Sequence, residues 1–422
     1  MQLSNGSPAS RTMSAPFSFD DPDQYLHGTP HQEFERLRRD APFAWHPSVA
    51  IPGTGYWLAT RHRDIVAISR APEQFSTRAP HLSEPLPPQF WPDFPALAMI
   101  ANNLLTYDSS RHVSFRVAAA APFSVPRLAR REQEIREVCA RILDLTYSRS
   151  SFDFAEEVSV AIPVAVVLGL FLRIPQEDWA KVSGLVEILN AIDDPSYKER
   201  PAVFLQAAQE LLEYGLSRVQ VAKEATDGSI LAEIIRHPAL KDISPEEAFF
   251  SYWFPLIAGA FETLAGSICG GVKALFDFPL QFQRLIADRR LIPSAVEEML
   301  RWTSPVIYFR RTAVRDMVFA DRDVKQGQPI LLCFPSANRD EQIFERPDDF
   351  DVGRNPNPQI AFGHGPHFCM GARLGSLVMR IFLEEFVSRG ATLCLDGDVT
   401  YTRSGFLNRI STMPVRRCSS QC

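Results

Sequence analysis

Apolar side chains recur at i, i+3 and i+4 through residues 107–150 and 152–235, the spacing that lays one greasy stripe along an α-helix. Two stretches are apolar almost all round: 160–172, interrupted by Pro163, and 248–261, interrupted by Pro255. Each falls short of the about 20 apolar residues that cross a bilayer, so both read as buried helices. The second belongs to a long helix starting near Pro245, where Ser244, Pro245 and Glu247 form a capping box. "PSAVEEMLRWTS" is a further helix, stopped by Pro305. Short β-like runs follow: "VIYFRRTAV", "DMVFAD" and "QPILLCFPSAN". Residues 55–70 read as a strand and then a helix from near His62. An irregular, Pro/Asp/Asn-rich stretch covers 339–358, and a Gly-rich loop at 362–371 opens a last long helix to about Val387. "ATLCLDG" and "GFLNRISTMPVRR" close the chain as strands. The pattern predicts a mainly α protein with a small β region.

Two segments escape this periodicity. Residues 1–16 are polar and rich in Ser and Pro, and read as a disordered tail with neither a signal peptide nor a membrane anchor. Residues 81–103 carry six prolines or tryptophans among few charges, too long and too apolar for an ordinary loop.

Length and charge narrow the class. At 422 residues the chain has room for two or three domains. With 45% hydrophobic and 22% charged residues it has the composition of a folded, soluble protein. A net charge of −6 argues against a nucleic-acid binder. Phe (30) far exceeds Tyr (9) and Trp (6), so the aromatic load is unusually greasy. The seven cysteines are odd in number and contain no C-x-x-C, which speaks against a disulfide framework or zinc ribbon and for a reducing, cytoplasmic compartment.

The sharpest signal is Phe362-Gly363-His364-Gly365-Pro366-His367-Phe368-Cys369-Met370-Gly371-Ala372. A lone cysteine follows a glycine turn and stands at the start of a helix. Glycines let the backbone turn tightly and let a flat group lie close. Helix N–H groups aimed at the sulfur favour the thiolate and lower its pKa. A thiolate so presented suits haem iron. A buried structural cysteine, or a nucleophile with His367 nearby, shares the same pattern.

Phe362, Gly363, Gly365, His367, Cys369 and Gly371 resemble the F-G-x-G-x-H-x-C-x-G haem-ligand signature of the soluble bacterial cytochrome P-450 monooxygenases. Three further features fit that family. Glu298 and Arg301 resemble its E-x-x-R pair, set i, i+3 on one helix face. Downstream, Asp349 stands where many relatives carry an arginine that joins this pair, so Arg346 or Arg354 must substitute or the triad is incomplete. Gly259-Ala260-Phe261-Glu262-Thr263 resembles the segment that crosses the distal face of the haem, with Ala260 where glycine is usual. A carboxylate beside a hydroxyl in an apolar helix is costly without a purpose. The resemblance gives Thr263 and Glu262 oxygen binding and proton relay, with Glu262 linked to bulk water. It also places His112, Arg116, Arg311 and His367 against the two haem propionates. In the last helix Leu374-Gly375-Ser376 replaces the usual Leu-Ala-Arg, so one proximal surface arginine is missing.

The resemblance implies one catalytic domain over 17–422, a triangular helical domain enclosing haem b plus a β-rich subdomain. Cys369 would be the iron ligand, and Phe362, Gly363, Gly371 and Ala260 would contact the cofactor. The activity implied is O2-dependent oxidation of a hydrophobic small molecule of terpenoid, steroid or polycyclic natural-product type. Its pocket would be lined by Phe90, Trp91, Phe94, Phe261, Val306, Ile307 and Phe406. No flavin or nucleotide fingerprint is present. Electrons would therefore come from a ferredoxin and its NAD(P)H-dependent reductase, docking near Arg111, Arg373 and Arg380. Oxidative ring closure or carbon–carbon coupling would use the same motifs. A non-catalytic haem-thiolate sensor would bring an output domain and would not need the Glu262–Thr263 pair, and a peroxide-driven enzyme would often replace it.

Overall fold

The apolar run after Ser244 fixes the middle of the molecule. The Ser244 hydroxyl accepts the Glu247 N–H at 3.1 Å, as a capping residue does. The expected single helix is two, Pro245–Ala258 and Phe261–Asp277. Pro255 lies inside the first and has no N–H to donate. Thr263 Oγ1 donates back to the Gly259 carbonyl at 2.8 Å, so the break at Gly259 and Ala260 has two local causes, a proline and a hydroxyl turned back on the chain. Taken together, Pro245–Asp277 is long and apolar enough to cross a membrane, because the run extends beyond 261; 61% of its most apolar window is buried inside the protein.

This computed structural model describes residues 17–79, 81, 93–191, 193, 194, 200–225, 229–390 and 393–418. The tail expected at 1–16 lies outside them, as do Phe90 and Trp91. Around the central helix pack Ile292–Thr303, Ala372–Ser388 and a helical segment over 155–171 that is wide-turned at 155–160 and 165–171, and Glu132–Tyr147 packs on Ala372–Ser388. Gly271 shows how close these helices come: a Cβ there would stand 2.1 Å from Met299 Cε. Phe154, Phe382 and Phe386 join ring to ring in the same core, at centroid separations of 5.5 to 6.4 Å.

The β region is peripheral. A five-stranded sheet runs in the order Phe43–Pro47, Gly55–Ala59, Pro329–Cys333, Tyr308–Ala313, Phe75–Ser76. Only the contact of Gly55–Ala59 with Pro329–Cys333 is parallel, pairing Trp57 with Ile330. Pro414–Arg417 pairs antiparallel with both Ser151–Asp153 and Leu393–Leu395. Here the structure joins Cys394 to Cys418 in a disulfide, Cα atoms 6.0 Å apart, one link that the reading against a disulfide framework did not foresee. Cys139, Cys269 and Cys333 are buried thiols, each pushed up to about 12 by desolvation and so inert.

Residues 339–358 carry no helix or strand, and a buried charge cluster ties them down. Glu298 and Arg301 pair at 2.8 Å with both side chains fully buried. Arg301 also donates to the carbonyls of Asn338, Pro347 and Asp349. Arg354, not Arg346, completes the cluster: its Nε lies 3.0 Å from Glu298, whereas Arg346 is exposed and pairs with Asp349. Asn357 and the Asp351 N–H add two more bonds to the same carboxylate.

Candidate functional site

The 362–371 loop is built by its glycines. Gly363 and Gly365 both have φ +72°, the left-handed region that a side chain strains to adopt. At Gly365 a Cβ would also meet the Ser69 carbonyl at 2.2 Å. The turn closes with Gly363 N–H on Ile360, Cys369 N–H on Phe362 at 2.8 Å and Phe368 N–H on Gly365. The Ala372–Ser388 helix starts at once, and the N–H groups of Gly371 and Ala372 face the Cys369 sulfur. Cys369 is exposed, but the surface it exposes forms part of a cavity wall.

That cavity holds about 280 Å³ between the central helix pair, the Cys369 loop, the Ser109–Ala120 helix and the turn at 404–407. Phe362, Gly363, Gly371, Ala260, Thr263, His112, Arg116, Arg311 and His367 all line it. A motif spread over more than two hundred residues of sequence is thus one surface in space.

Charge divides the cavity. On the Cys369 side, His112 and His367 stack at 3.9 Å, with Arg116 and Arg311 beside them. Burial, reinforced by these arginines, drives His112 down to about 4 and His367 further. Arg311 is pushed down to about 10 by desolvation, which Asp108 opposes, and among the described residues it donates to the Arg310 carbonyl at 2.9 Å. Arg116 forms no ion pair among the described residues, and no Asp or Glu lines the cavity there. Buried cations without an anion are costly. A flat group bearing two carboxylates supplies the missing charge, and Cys369 supplies a soft ligand for its metal. The residues present therefore fit haem.

Several expectations need correction. The Cys369 thiol is raised, because desolvation outweighs the Gly371 and Ala372 amides and Arg116. Glu262 does not face bulk water or the cavity; it is 8% exposed and bonded to Arg409, which also reaches Glu187 at 3.4 Å. Burial raises the Glu262 pKa, and Arg409 opposes that shift. Among the expected pocket residues, Val306 and Phe406 line the cavity. Phe261 and Ile307 point into packed cores, and Phe94 is 47% exposed at a helix start. Arg111 is committed to Glu247 and Arg380 to Glu132 and Glu384, so of the three expected docking cations Arg373 alone has no ion pair among the described residues. Arg409 and His81, which also lines the cavity, have no local motif to announce them.

Comparison with known proteins agrees with this geometry. A family model described as Cytochrome P450 matches residues 282–397. Over 407 residues the chain is 30% identical to a steroid C26-monooxygenase of Rhodococcus jostii, covering 94% of this chain and 84% of that protein. It is 27% identical over 391 residues to a methyl-branched lipid omega-hydroxylase of Mycobacterium bovis, covering 90% of each. A solved cytochrome P450 of Mycobacterium marinum, in complex with pseudoionone, superposes with TM-score 0.83 at 28% identity, covering 92% of this chain and 96% of that one.

Proposed function

The chain belongs to the cytochrome P450 family and is a monooxygenase, and from that premise we propose that residues 17–422 act as one soluble catalytic unit that hydroxylates a carbon-rich, uncharged molecule of terpenoid, steroid or polycyclic type. The observation that carries this reading is the division of the cavity: the Cys369 thiol and a basic cluster on one side, and mostly apolar walls on the other, broken by Thr263, Ser267, Asn190 and His81.

In the proposed assignment Cys369 ligates the haem iron, and Arg116, Arg311, His112 and His367 hold the two propionates by charge-assisted hydrogen bonds. When bound, the haem supplies O2 activation and the transfer of one oxygen atom to a C–H bond. The chain's own residues then have separate tasks. The Glu298–Arg301–Arg354 cluster fixes the irregular 339–358 stretch that leads into the Cys369 loop. Thr263 holds a hydroxyl proton at the cavity wall by resting on the Gly259 carbonyl. Glu262 would pass a proton behind it, its carboxylate first taking one up once Arg409 leaves it for Glu187. Leu256, Leu264, Val306, Phe406 and Leu407 exclude water and hold apolar substrate.

Electrons would come from a separate ferredoxin with its NAD(P)H-dependent reductase. The half-exposed Phe368 in the Cys369 loop, and Arg373 just after it, which has no ion pair among the described residues, are the contacts we assign to it. The relatives that oxidise steroids and branched lipids support the substrate class. The test is turnover by the haem-loaded protein with a ferredoxin and reductase over a panel of steroids, terpenoids, fatty acids and sugars. O2-dependent hydroxylation of an uncharged, carbon-rich member supports the reading. Conversion confined to acids or sugars contradicts it.

A further inference from the structure

The polar atoms on the substrate side of the cavity are almost all satisfied by the protein itself. Thr263 Oγ1 donates to Gly259, Ser267 Oγ donates to Thr263, and Asn190 Nδ2 donates to Ala258 at 3.2 Å. His81 is the exception. It lines the cavity, and its ring stands edge-on to Phe406 at 4.5 Å. Nδ1 is shut off from solvent with no partner. A buried polar group without a partner costs about 1–3 kcal/mol, so an imidazole kept here has a use when the cavity is filled.

Phe406 is itself held in place. The half-buried Asp193 carboxylate accepts the Phe406 N–H at 3.1 Å, the Gly405 N–H and the Ser404 hydroxyl at 3.0 Å. Phe406 also meets Tyr308 and Phe309 edge-on, at 5.6 and 5.8 Å. His81 therefore rests on a rigid support rather than on a free side chain. Burial alone brings its pKa down to about 4, with no charged residue contributing, so at neutral pH it offers one donor and one acceptor nitrogen and no charge.

We propose that His81 is the specificity-determining residue of this cavity, hydrogen-bonding a neutral oxygen (a hydroxyl or carbonyl) on an otherwise apolar substrate. An isolated carboxylate would gain no counter-charge there and would lose its hydration. This deepens the apolar-substrate reading above and rests on it. It separates monohydroxylated or monoketonic frameworks from both plain hydrocarbons and fatty acids.

The experiment measures ligand affinity of the haem-loaded protein by equilibrium dialysis. The ligands are matched sets on three frameworks, each as alcohol, ketone, hydrocarbon and acid: a C19 steroid, an acyclic monoterpene and a C12 chain. For any framework that binds, the alcohol or ketone is expected to bind about tenfold more tightly than the hydrocarbon and the acid. His81→Phe abolishes that preference, and His81→Gln, which keeps a donor and an acceptor, retains it in part. Dialysed haem content and the carbon monoxide spectrum of both variants match the parent, which reports that they fold. Equal affinity across a set in the parent, or a preference that survives His81→Phe, overturns the proposal. If no framework binds in any form while haem is present, the apolar-substrate reading fails and the proposal with it.

Discussion

Arg116 is the residue whose surroundings most constrain what the cavity holds. It is a half-buried cation with no ion pair among the described residues, facing two neutral histidines. Arg116→Ala is expected to lower haem retention about tenfold, the loss of one charge-assisted contact. Haem per chain after extended dialysis checks it, and retention equal to the parent would remove Arg116 from the cofactor site. Thr263→Ala should leave haem binding intact but drop product formed per NAD(P)H consumed by about tenfold or more, since it removes a positioned proton donor. Unchanged coupling would show that the proton reaches the site by another route. His81 gives a pH signature. Its folded pKa of about 4 lies below the ordinary value of 6.5, so the unfolded chain binds the proton more readily. Its contribution to stability is full above pH 6.5 and is lost as pH falls toward 4. His81→Phe should therefore flatten the fall in thermal midpoint over that window, and an unaltered slope would show that the imidazole is not held neutral.

Single elements explain which parts of the site could be read in advance. The Cys369 loop, the Glu298/Arg301 pair and the break before Thr263 are each encoded within a dozen consecutive residues. Local rules of turn geometry, i, i+3 spacing and proline chemistry find such features. Arg409 meets Glu262 across 147 residues of sequence and Arg354 meets Glu298 across 56, and no periodicity carries that information. The same limit hid the Cys394–Cys418 link, which depends on the pairing of two short strands. The lining of the cavity was half legible: apolar residues near the motifs could be guessed. Whether Phe261 or Leu264 faces the cavity depends on the helix rotation set by the break. At this scale Arg301→Ala should destabilise the fold by about 3–5 kcal/mol, because it removes the closest partner of a fully buried carboxylate and the donor to three loop carbonyls. Arg354→Ala should cost less, since Arg301 remains on Glu298. Denaturant midpoints check the order, and an equal or reversed ranking would contradict the roles assigned within the cluster.

The whole molecule is organised around one apolar helix pair that its length alone would allow to cross a membrane, and which the other helices bury instead. The groups assigned to the cofactor come from four parts of the chain, 112–116, 260, 311 and 362–371, and meet at one cavity beside that pair. Two or three domains were possible by length, yet residues as far apart as His112 and Gly371 share this wall. Haem would therefore act as part of the core as well as the reaction centre, and a ligand that binds only the folded state raises its stability. The most direct test of the central claim, that Cys369 presents a thiolate to haem iron, is the absorption spectrum of the reduced, carbon monoxide-bound protein. The parent should show the band at 450 nm from which the family takes its name, and Cys369→Ala should lose it while still binding haem through the basic cluster. A band that survives Cys369→Ala, or a parent that takes up haem without showing it, would contradict the account.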